Sequence, residues 1–554
     1  MKQNKFTKRL ISIIIIIISG IGIYTIACGP WYDPDSEYVS LFDKALSDAP
    51  NTRPFYYSYF SLYDDNSFES DNKTNIAEWK SYTSGIAKES DINQVVYKVS
   101  VNQLITVKNA LVQNKIPLLD DSLKSNSFLQ FLINKKDVSC LNYLIYAKSC
   151  EPYVYVSYDD MWDYQPLKTT TADSLINLGL SAYKQTTNQF LKLRYAFQSQ
   201  RLAQYSSQID KNKFIYDSLV VPLSVKSDVK YWCMSLYAAA LFRSGEQTKA
   251  AYLYSKVFDL CPRYRLEAFK SFKFFKTEEK AVIDLCKNNH EKAVFYTIMA
   301  YYTELPDTMY INKIYQLEPK STELEVLLCR EISKIEYKLQ SIYGSEAEIA
   351  GNVLYTADII NAAALLKQRI AQIAYNGNTA NPALWNMALA YIAYLQKDVK
   401  TADFYLSKIN PNTLNIKLNN QYNVLKVLVE IIRTDRITAT TEAAILPYIQ
   451  KMRTAFDYKK EILQDEDLYD ESHKNHQFAD RAYATLMTEI LSRAYASQGD
   501  NVKALVCMSV GESDASFYPY TFYNADFLNS TCFRIMDKTI RIDDLRAILQ
   551  FMSN

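Results

Sequence analysis

Histidine is the side chain best suited to acid–base and metal chemistry near neutral pH, and the chain has only three. His473 and His476 lie three residues apart within the acidic stretch 465–480. On a helix they would share a face and could bind Zn²⁺ together with a carboxylate. No metalloenzyme motif surrounds them, and a solvated acidic connection between helices explains them better. We therefore predict no metal centre, keep His473 and His476 as weak metal candidates, and expect His290 at a helix junction.

The motifs of nucleotide and nucleophilic chemistry are missing from the sequence. It contains neither of the phosphate-cradling patterns G-x-G-x-x-G and G-x-x-x-x-G-K, and it has no G-x-S-x-G nucleophile turn. Paired acids such as Asp120-Asp121 and Asp543-Asp544 are of the type that normally satisfies helix N-termini. We predict that the protein is not an enzyme and has no catalytic residue and no cofactor.

The N-terminus carries the pattern of an export signal. Four basic residues in the range 2–9 precede a charge-free apolar stretch at 10–27, and Cys28 follows the small residue Ala27. This order is typical of a bacterial lipoprotein, so we predict a signal peptide at 1–27 and lipidation of Cys28. An uncleaved membrane helix, or cleavage to a free protein, are the alternatives. All three place the body outside the cytoplasm, and we expect an outer-membrane lipoprotein of the cell envelope, facing either side.

The remaining eight cysteines include no C-x-x-C pair, which argues against zinc and thioredoxin-like chemistry. Most of them lie in apolar helical patterns, where a reduced thiol packs as a small hydrophobe. A disulfide between Cys140 and Cys150 is the less favoured alternative.

Composition restricts both the partners and the fold. Lys and Arg total 62 against 61 Asp and Glu, giving a net charge of +1, so we predict no nucleic-acid partner. The 554 residues include only 11 Gly and 15 Pro, while 48% are hydrophobic. A β-sandwich or a barrel needs more turn-forming residues than this, and long helices with short connections are the better explanation. The predicted fold class is all-α.

Apolar residues recur at helical spacing from Thr74 onward, with only brief interruptions at prolines. The aromatic cluster at 55–63 is expected to pack onto the body rather than form an exposed patch. The predicted organisation is a signal peptide at 1–27, a tether and aromatic extension at 28–73, a helical region at 74–190, tetratricopeptide-like repeats at 191–420 and C-terminal helical repeats at 421–554.

Met234 to Pro262 is the clearest repeat and resembles a tetratricopeptide hairpin along its whole length. Small Ala238 lets two helices approach, Gly245 supplies a left-handed residue after the first helix, and Ala250 lies where the second helix crosses.

Three further segments fit the same frame less well. Leu389 to Leu406 has Lys397 in place of the glycine, and Ser492 to Met508 keeps its glycine at Gly499. The segment 200–216 has Asn212 where the second helix should carry alanine. We predict an irregular α-solenoid of tetratricopeptide-like hairpins, with irregular hairpins between the recognisable ones.

Charged residues interrupt several of these amphipathic helices. Arg194, Arg201, Arg330 and Glu331 are the clearest examples. We expect them to form buried or half-buried ion pairs between stacked hairpins, without any ligand.

The chain also resembles a group of Bacteroidetes lipoproteins, on the strings Cys28-Gly-Pro-Trp-Tyr32, Leu193-Arg-Tyr-Ala-Phe-Gln198, Tyr252-Leu-Tyr-Ser-Lys-Val-Phe258 and Leu327-Leu-Cys-Arg-Glu-Ile332. The resemblance spans most of the chain after the signal peptide. It implies anchoring outside the cytoplasm and a helical-repeat body, and it supplies no catalytic residue.

The leading functional hypothesis is a membrane-anchored scaffold that binds a protein or peptide partner in the envelope. The alternative is a glycan-binding lipoprotein similar to the SusD class, with sugar rings stacking on aromatic side chains. Its candidate tryptophans are Trp31, Trp79, Trp162, Trp232 and Trp385. Such proteins carry long Gly- and Trp-rich loops that this composition does not supply. A glycan or cell-wall hydrolase, with two carboxylates facing each other across a cleft, is a third hypothesis.

Overall fold

The structure is a computed structural model, and its described residues are 40–47, 49, 52–56, 70–115, 121–154, 169–272, 278–303, 306–343, 353–462, 477–514, 541–543 and 546. Several predicted features lie outside these ranges, namely the signal peptide at 1–27, Cys28, Trp31, Asp120, Trp162, His473, His476 and Asp544.

Every regular element in the described ranges is helical, which confirms the all-α prediction. The first ten helices are α1 Ser70–Tyr82, α2 Glu89–Asn93, α3 Val101–Val112, α4 Asp121–Lys124, α5 Ser127–Asn134, α6 Val138–Cys150, α7 Thr169–Gln185, α8 Gln189–Tyr205, α9 Ile209–Ile215 and α10 Val229–Arg243. The next seven are α11 Gln247–Leu260, α12 Arg265–Phe272, α13 Glu279–Ile283, α14 Asn289–Tyr301, α15 Met309–Leu317, α16 Thr322–Tyr343 and α17 Val353–Asn376. The last seven are α18 Pro382–Leu395, α19 Val399–Ser407, α20 Ile416–Ile432, α21 Ala439–Ile462, α22 Gln477–Thr485, α23 Ser492–Ser497 and α24 Asn501–Asp514.

Shorter helical turns complete the described elements. The π-helical turns are Gln94–Lys98, Tyr216–Val220 and Leu486–Leu491. The 3₁₀ turns are Arg53–Phe55, Glu151–Tyr153, Pro262–Tyr264 and Pro411–Thr413.

The four hairpins found in the sequence turn in the same way. A left-handed residue with φ between 57° and 87° follows the first helix of each hairpin, at Ser207, Gly245, Lys397 and Gly499. The next amide N–H donates to a carbonyl five residues earlier, at 2.8 to 2.9 Å, and so closes the end of the helix. Lys136, between α5 and α6, adopts the same turn, although no repeat was predicted there.

Small residues lie at the helix crossings, as the repeat frame requires. Ala238 and Ala250 are fully buried between α10 and α11, and Ala393 and Ala402 are fully buried between α18 and α19. The absence of a longer side chain allows each pair of helices to pack closely.

Asn212 replaces one of these alanines with a buried amide. Its side chain accepts from Gln200 Nε2 at 2.9 Å and donates to Gln204 Oε1 at 2.8 Å and to the carbonyl of Leu236 at 3.1 Å. The amide is therefore compensated by partners on α8 and α10.

Most buried apolar residues of the described ranges fall into two clusters. The first core runs from Trp79 to Cys233, and the second runs from Ala238 to Cys507. The second core also contains residues far upstream of its helices, namely Leu41, Phe42, Leu46, Ala49 and Phe55. The finer prediction of a tetratricopeptide-like solenoid stays a prediction, as do the domain boundaries.

The disulfide alternative is wrong. Cys140 and Cys150 are both free and buried, and both lie on α6. They are ten positions apart on the helix, which places them about 15 Å from each other, and no disulfide can bridge that distance.

Candidate functional site: a buried charged helix and the segment it holds

Helix α16 carries an unusual set of charged side chains, each 5% exposed or less. They are Glu325, Arg330, Glu331, Lys334 and Glu336, and we call them the buried charged row. Charged residues are rarely buried to this extent unless they are paired, so their partners indicate what the site holds.

Glu331 and Lys334 form an ion pair within α16 itself. Lys334 Nζ lies 2.6 Å from Glu331 Oε1 and also donates to Thr303 Oγ1 at 2.9 Å, while the N–H of Asp307 donates to Glu331 Oε2 at 2.7 Å. Burial raises the pKa of Glu331 and lowers that of Lys334, because both charges are removed from water. The expectation that Glu331 pairs between hairpins is thus wrong: the two residues are one turn apart.

Arg330 makes two contacts with backbone carbonyl groups. Its Nη1 donates to the carbonyl of Phe55 and its Nη2 to the carbonyl of Tyr301, each at 3.0 Å. A guanidinium offers several donors in one plane, which suits it to bridging two carbonyl oxygens. Arg330 therefore joins α14 to a part of the chain 275 residues upstream.

That upstream part is the N-terminal segment, by which we mean the described residues between Ser40 and Tyr56. It is bent and mostly non-helical, ending in the short turn Arg53–Phe55. Local side-chain contacts support its bends: the N–H of Ala45 donates to Asp43 Oδ1 at 2.9 Å, and that of Ala49 donates to Ser47 Oγ at 3.2 Å.

Glu336 receives three donors at one end of the segment. Its carboxylate accepts from the N–H of Leu41 at 2.9 Å, from Ser40 Oγ at 2.7 Å and from the hydroxyl of Tyr391 on α18. Burial raises the pKa of Glu336 to about 7, although these donors act to lower it. The carboxylate is thus covered by the segment that it binds.

Gln421 on α20 binds the same stretch through both ends of its carboxamide. Its Nε2 donates to the carbonyl of Leu41 at 3.0 Å, and its Oε1 accepts from the N–H of Asp43 at 2.7 Å. Gln421 binds both residues through their backbone atoms, in the way that a neighbouring strand holds an extended peptide.

Aromatic packing fixes both ends of the segment. The ring of Phe55 stacks on Tyr301 at 4.6 Å and meets the edges of Phe258 and Phe269 at 5.3 Å. Phe42 lies 5.3 Å from the ring of Tyr391. The prediction that the aromatic cluster packs onto the body is confirmed for Phe55; the cluster residues from 57 to 63 lie outside the described ranges.

The segment runs against the order of the helices. Phe55 lies beside α11, α12 and α14, whereas Leu41 and Phe42 lie beside α16, α18 and α20. Ser47, between these ends, donates to the carbonyl of Thr322 at the start of α16 at 3.0 Å. A row of successive helices thus holds a non-helical stretch of chain along its length.

The other predicted polar residues have structural partners. Arg194 Nη2 lies 3.0 Å from Glu78 Oε2, an ion pair between α8 and α1 as predicted. Arg201 Nη2 donates to the carbonyl of Val154 at 3.1 Å. His290 lies at the start of α14, where Asn288 caps the helix, which confirms its predicted place at a junction.

The weak metal candidates His473 and His476 are outside the described residues, and among the residues that are described no group of acidic, histidine and cysteine side chains is arranged to hold a metal ion. Trp79 and Trp385 are fully buried, so neither can stack on a sugar ring.

Sequence reasoning missed Glu336, Tyr391, Gln421 and Lys334. A signal for the buried charged row does exist in α16. Apolar residues from Leu324 to Ile335 cover every face of the helix, so its charged residues cannot all face solvent.

No protein-family model, curated protein or solved structure matches the chain. The resemblance to Bacteroidetes lipoproteins therefore stays a prediction. Within the described ranges, no helix is both long and apolar enough to cross a membrane.

Proposed function

We propose that the protein is a lipid-anchored helical-repeat scaffold of the cell envelope, which binds an extended segment of a protein partner. The observation that carries the proposal is the binding of the N-terminal segment through its backbone. Glu336, Gln421 and Arg330 together bind backbone groups of Leu41, Asp43 and Phe55. Helices that hold one non-helical stretch in this way have the chemistry needed to bind another.

The packing order of the helices supports a repeat architecture. The described helices that pack most extensively against each other lie within three helices of each other along the chain, which is typical of a solenoid. The shared turns at Ser207, Gly245, Lys397 and Gly499 support tetratricopeptide-like hairpins in particular.

The length of chain between Cys28 and the N-terminal segment limits how far the helices can lie from the membrane. Ser40 follows Cys28 by twelve positions, and an extended chain of that length spans at most about 40 Å. Docking of the N-terminal segment would therefore keep α16 to α20 close to the membrane that holds Cys28.

Lipidation is tested by the intact mass of the membrane-bound protein. We expect a chain that begins at Cys28 and carries acyl groups, and a Cys28→Ser variant that keeps residues 1–27 and gains no lipid. A wild-type mass equal to the unmodified full chain would support the uncleaved membrane helix instead.

Partner binding is tested by photo-cross-linking in cells. Benzoylphenylalanine replaces Tyr56, which lies half-buried at the end of the N-terminal segment, or Tyr153, which is exposed after α6. We expect one envelope protein to be captured at Tyr56 and not at Tyr153. The same product at both positions, or none at either, would count against a partner at this site.

A further inference from the structure

The N-terminal segment is recognised partly by contacts that any extended peptide could make. The N–H and carbonyl of Leu41 and the N–H of Asp43 are all bound by side chains of α16 and α20. Every residue has these backbone groups, except that proline lacks the N–H. Backbone contacts of this kind give affinity, and the pockets for neighbouring side chains give specificity.

The side chains of residues 40–43 define those pockets. Ser40 donates its hydroxyl to Glu336 Oε2, Leu41 is 7% exposed, and Phe42 is fully buried beside Tyr391. Asp43 Oδ1 supports the following bend by accepting from the N–H of Ala45. The pattern is a hydroxyl residue, two apolar residues of which the second is aromatic, and an acidic residue.

We infer that Glu336, Tyr391 and Gln421 form a recognition site for partner peptides with this pattern, and that the chain's own Ser40–Asp43 occupies the site until such a peptide displaces it. The inference rests on the proposed scaffold function and names its ligand class. The partner is an extended stretch of another protein carrying the same four-residue pattern.

Covalent attachment favours the chain's own segment over a free peptide in binding to the recognition site. A tethered segment acts at an effective concentration on the order of millimolar, so a free peptide with equal contacts competes poorly. Weakening the attached segment while leaving Glu336, Tyr391 and Gln421 unchanged should therefore open the site.

Two variants of the full-length protein do this. Phe42→Asp places a charge against the ring of Tyr391, and Leu41→Pro removes the N–H that Glu336 accepts. Fluorescence anisotropy then measures the binding of a labelled peptide with the sequence of residues 36–46. A peptide with Ser in place of the Leu and Phe of this pattern serves as the control, and circular dichroism checks that the variants keep their helices.

We expect both variants to bind the peptide at least tenfold more tightly than the wild type. Adding Gln421→Ala to Phe42→Asp should weaken binding at least tenfold, and the control peptide should bind neither variant. Helical variants that bind no better than the wild type, or binding that ignores Gln421→Ala, would overturn the inference.

A measurement on the unmodified protein covers the case in which both variants unfold. With millimolar unlabelled peptide, the amides of Leu41 and Asp43 should exchange hydrogen at least tenfold faster, because displacement frees them from Glu336 and Gln421. Unchanged exchange would overturn the inference. These outcomes do not depend on whether cross-linking identifies a partner in cells, so the two proposals can fail separately.

Discussion

The buried polar side chains of the two cores find their partners in different parts of the chain. In the first core, buried polar side chains have partners on other helices of the same region, as in the pairs Arg194 with Glu78 and Gln200 with Asn212. In the second core, Arg330 and Glu336 reach a non-helical segment that lies 275 to 296 residues earlier in the chain.

The difference concerns which parts of the chain each core needs. The described contacts of the first core come from residues 70 onward, so its helices supply partners for one another. The second core has buried charges with partners outside its helices, and an unpaired buried charge is costly. The second core is therefore complete only when the N-terminal segment has docked.

The largest expected effect comes from replacing Phe55, the aromatic residue that packs the end of the N-terminal segment into the second core. Phe55→Ala removes a fully buried ring between Phe258, Phe269 and Tyr301, and we expect the second core to lose about 3–5 kcal/mol of stability. Native-state hydrogen exchange, followed separately in α3 to α8 and in α14 to α20, measures the loss in each core.

Phe214→Ala on α9 is the matched control, because that ring is 55% exposed and its loss should change stability by less than about 0.5 kcal/mol. An equal loss of protection in both cores after Phe55→Ala would contradict the comparison, since the ring would then support the whole chain.

Arg194→Ala should destabilise the first core rather than the second. The guanidinium lies 3.7 Å from the ring centre of Phe190 and 3.0 Å from Glu78, so the change leaves a largely buried carboxylate without its cation. We expect a loss of about 3 kcal/mol confined to the first core. Lys80→Ala breaks an exposed pair with Glu89 and should cost less than about 0.5 kcal/mol by the same hydrogen-exchange measurement. A loss centred on α14 to α20 would show that the cores are not separate.

Asn212→Ala tests how the first core departs from the repeat frame. The frame alone favours alanine, but the change would leave Gln204 Oε1 and the Leu236 carbonyl without the donor that Asn212 supplies. We expect a loss of about 1–2 kcal/mol in urea unfolding. Ala402→Asn, the reciprocal change in the second core, buries an amide among fully packed residues and should also destabilise. A gain in stability from Asn212→Ala would mean that the amide network contributes nothing.

Local chemistry explains why so much of the fold could be predicted from the sequence. Ala238, Gly245 and Ala250 specify a hairpin through neighbours within a few residues, and the structure places each in the expected role. Lys397 and Ser207 were harder to recognise because neither is the expected glycine, yet the turn forces both into the left-handed region.

The site could not be predicted in this way. Leu41 and Glu336 are 295 residues apart, and Leu41 and Gln421 are 380 apart, so no local pattern links them. Only the all-round apolar surface of α16 indicates that its charges must be buried, and it does not identify their partners.

The shared turn gives a smaller test that should treat both cores alike. Lys397→Gly in the second core and Ser207→Gly in the first each replace a left-handed residue that has a Cβ, and each should gain about 1 kcal/mol. Gly245→Ala should lose a similar amount, because it makes the reverse change. Urea unfolding midpoints measure all three variants. A gain at one turn and a loss at the other would show that the turns differ in their surroundings.

The smallest expected effect is a pH dependence among the helices of the second core, where His290 lies at the start of α14. Burial acts to lower the pKa of His290, but hydrogen bonds and charge from Glu318 at 2.9 Å and Asp259 at 3.1 Å outweigh it and raise the pKa above 6.5. The folded protein thus binds this proton more tightly than the unfolded chain does. Its contribution is fully present below pH 6.5 and is lost as the pH rises through the folded pKa.

Because the ring is half exposed, solvent screens the pair, and we expect the contribution to be at most about 0.5 kcal/mol. The unfolding free energies of the wild type and His290→Gln are measured from pH 5.5 to 8.5. Their difference separates the contribution of His290 from the titration of Glu336, which both proteins share. That difference should shrink as the pH rises. A constant difference would mean that folding does not tighten proton binding by His290, and that its contacts with Asp259 and Glu318 add no charge-dependent stability.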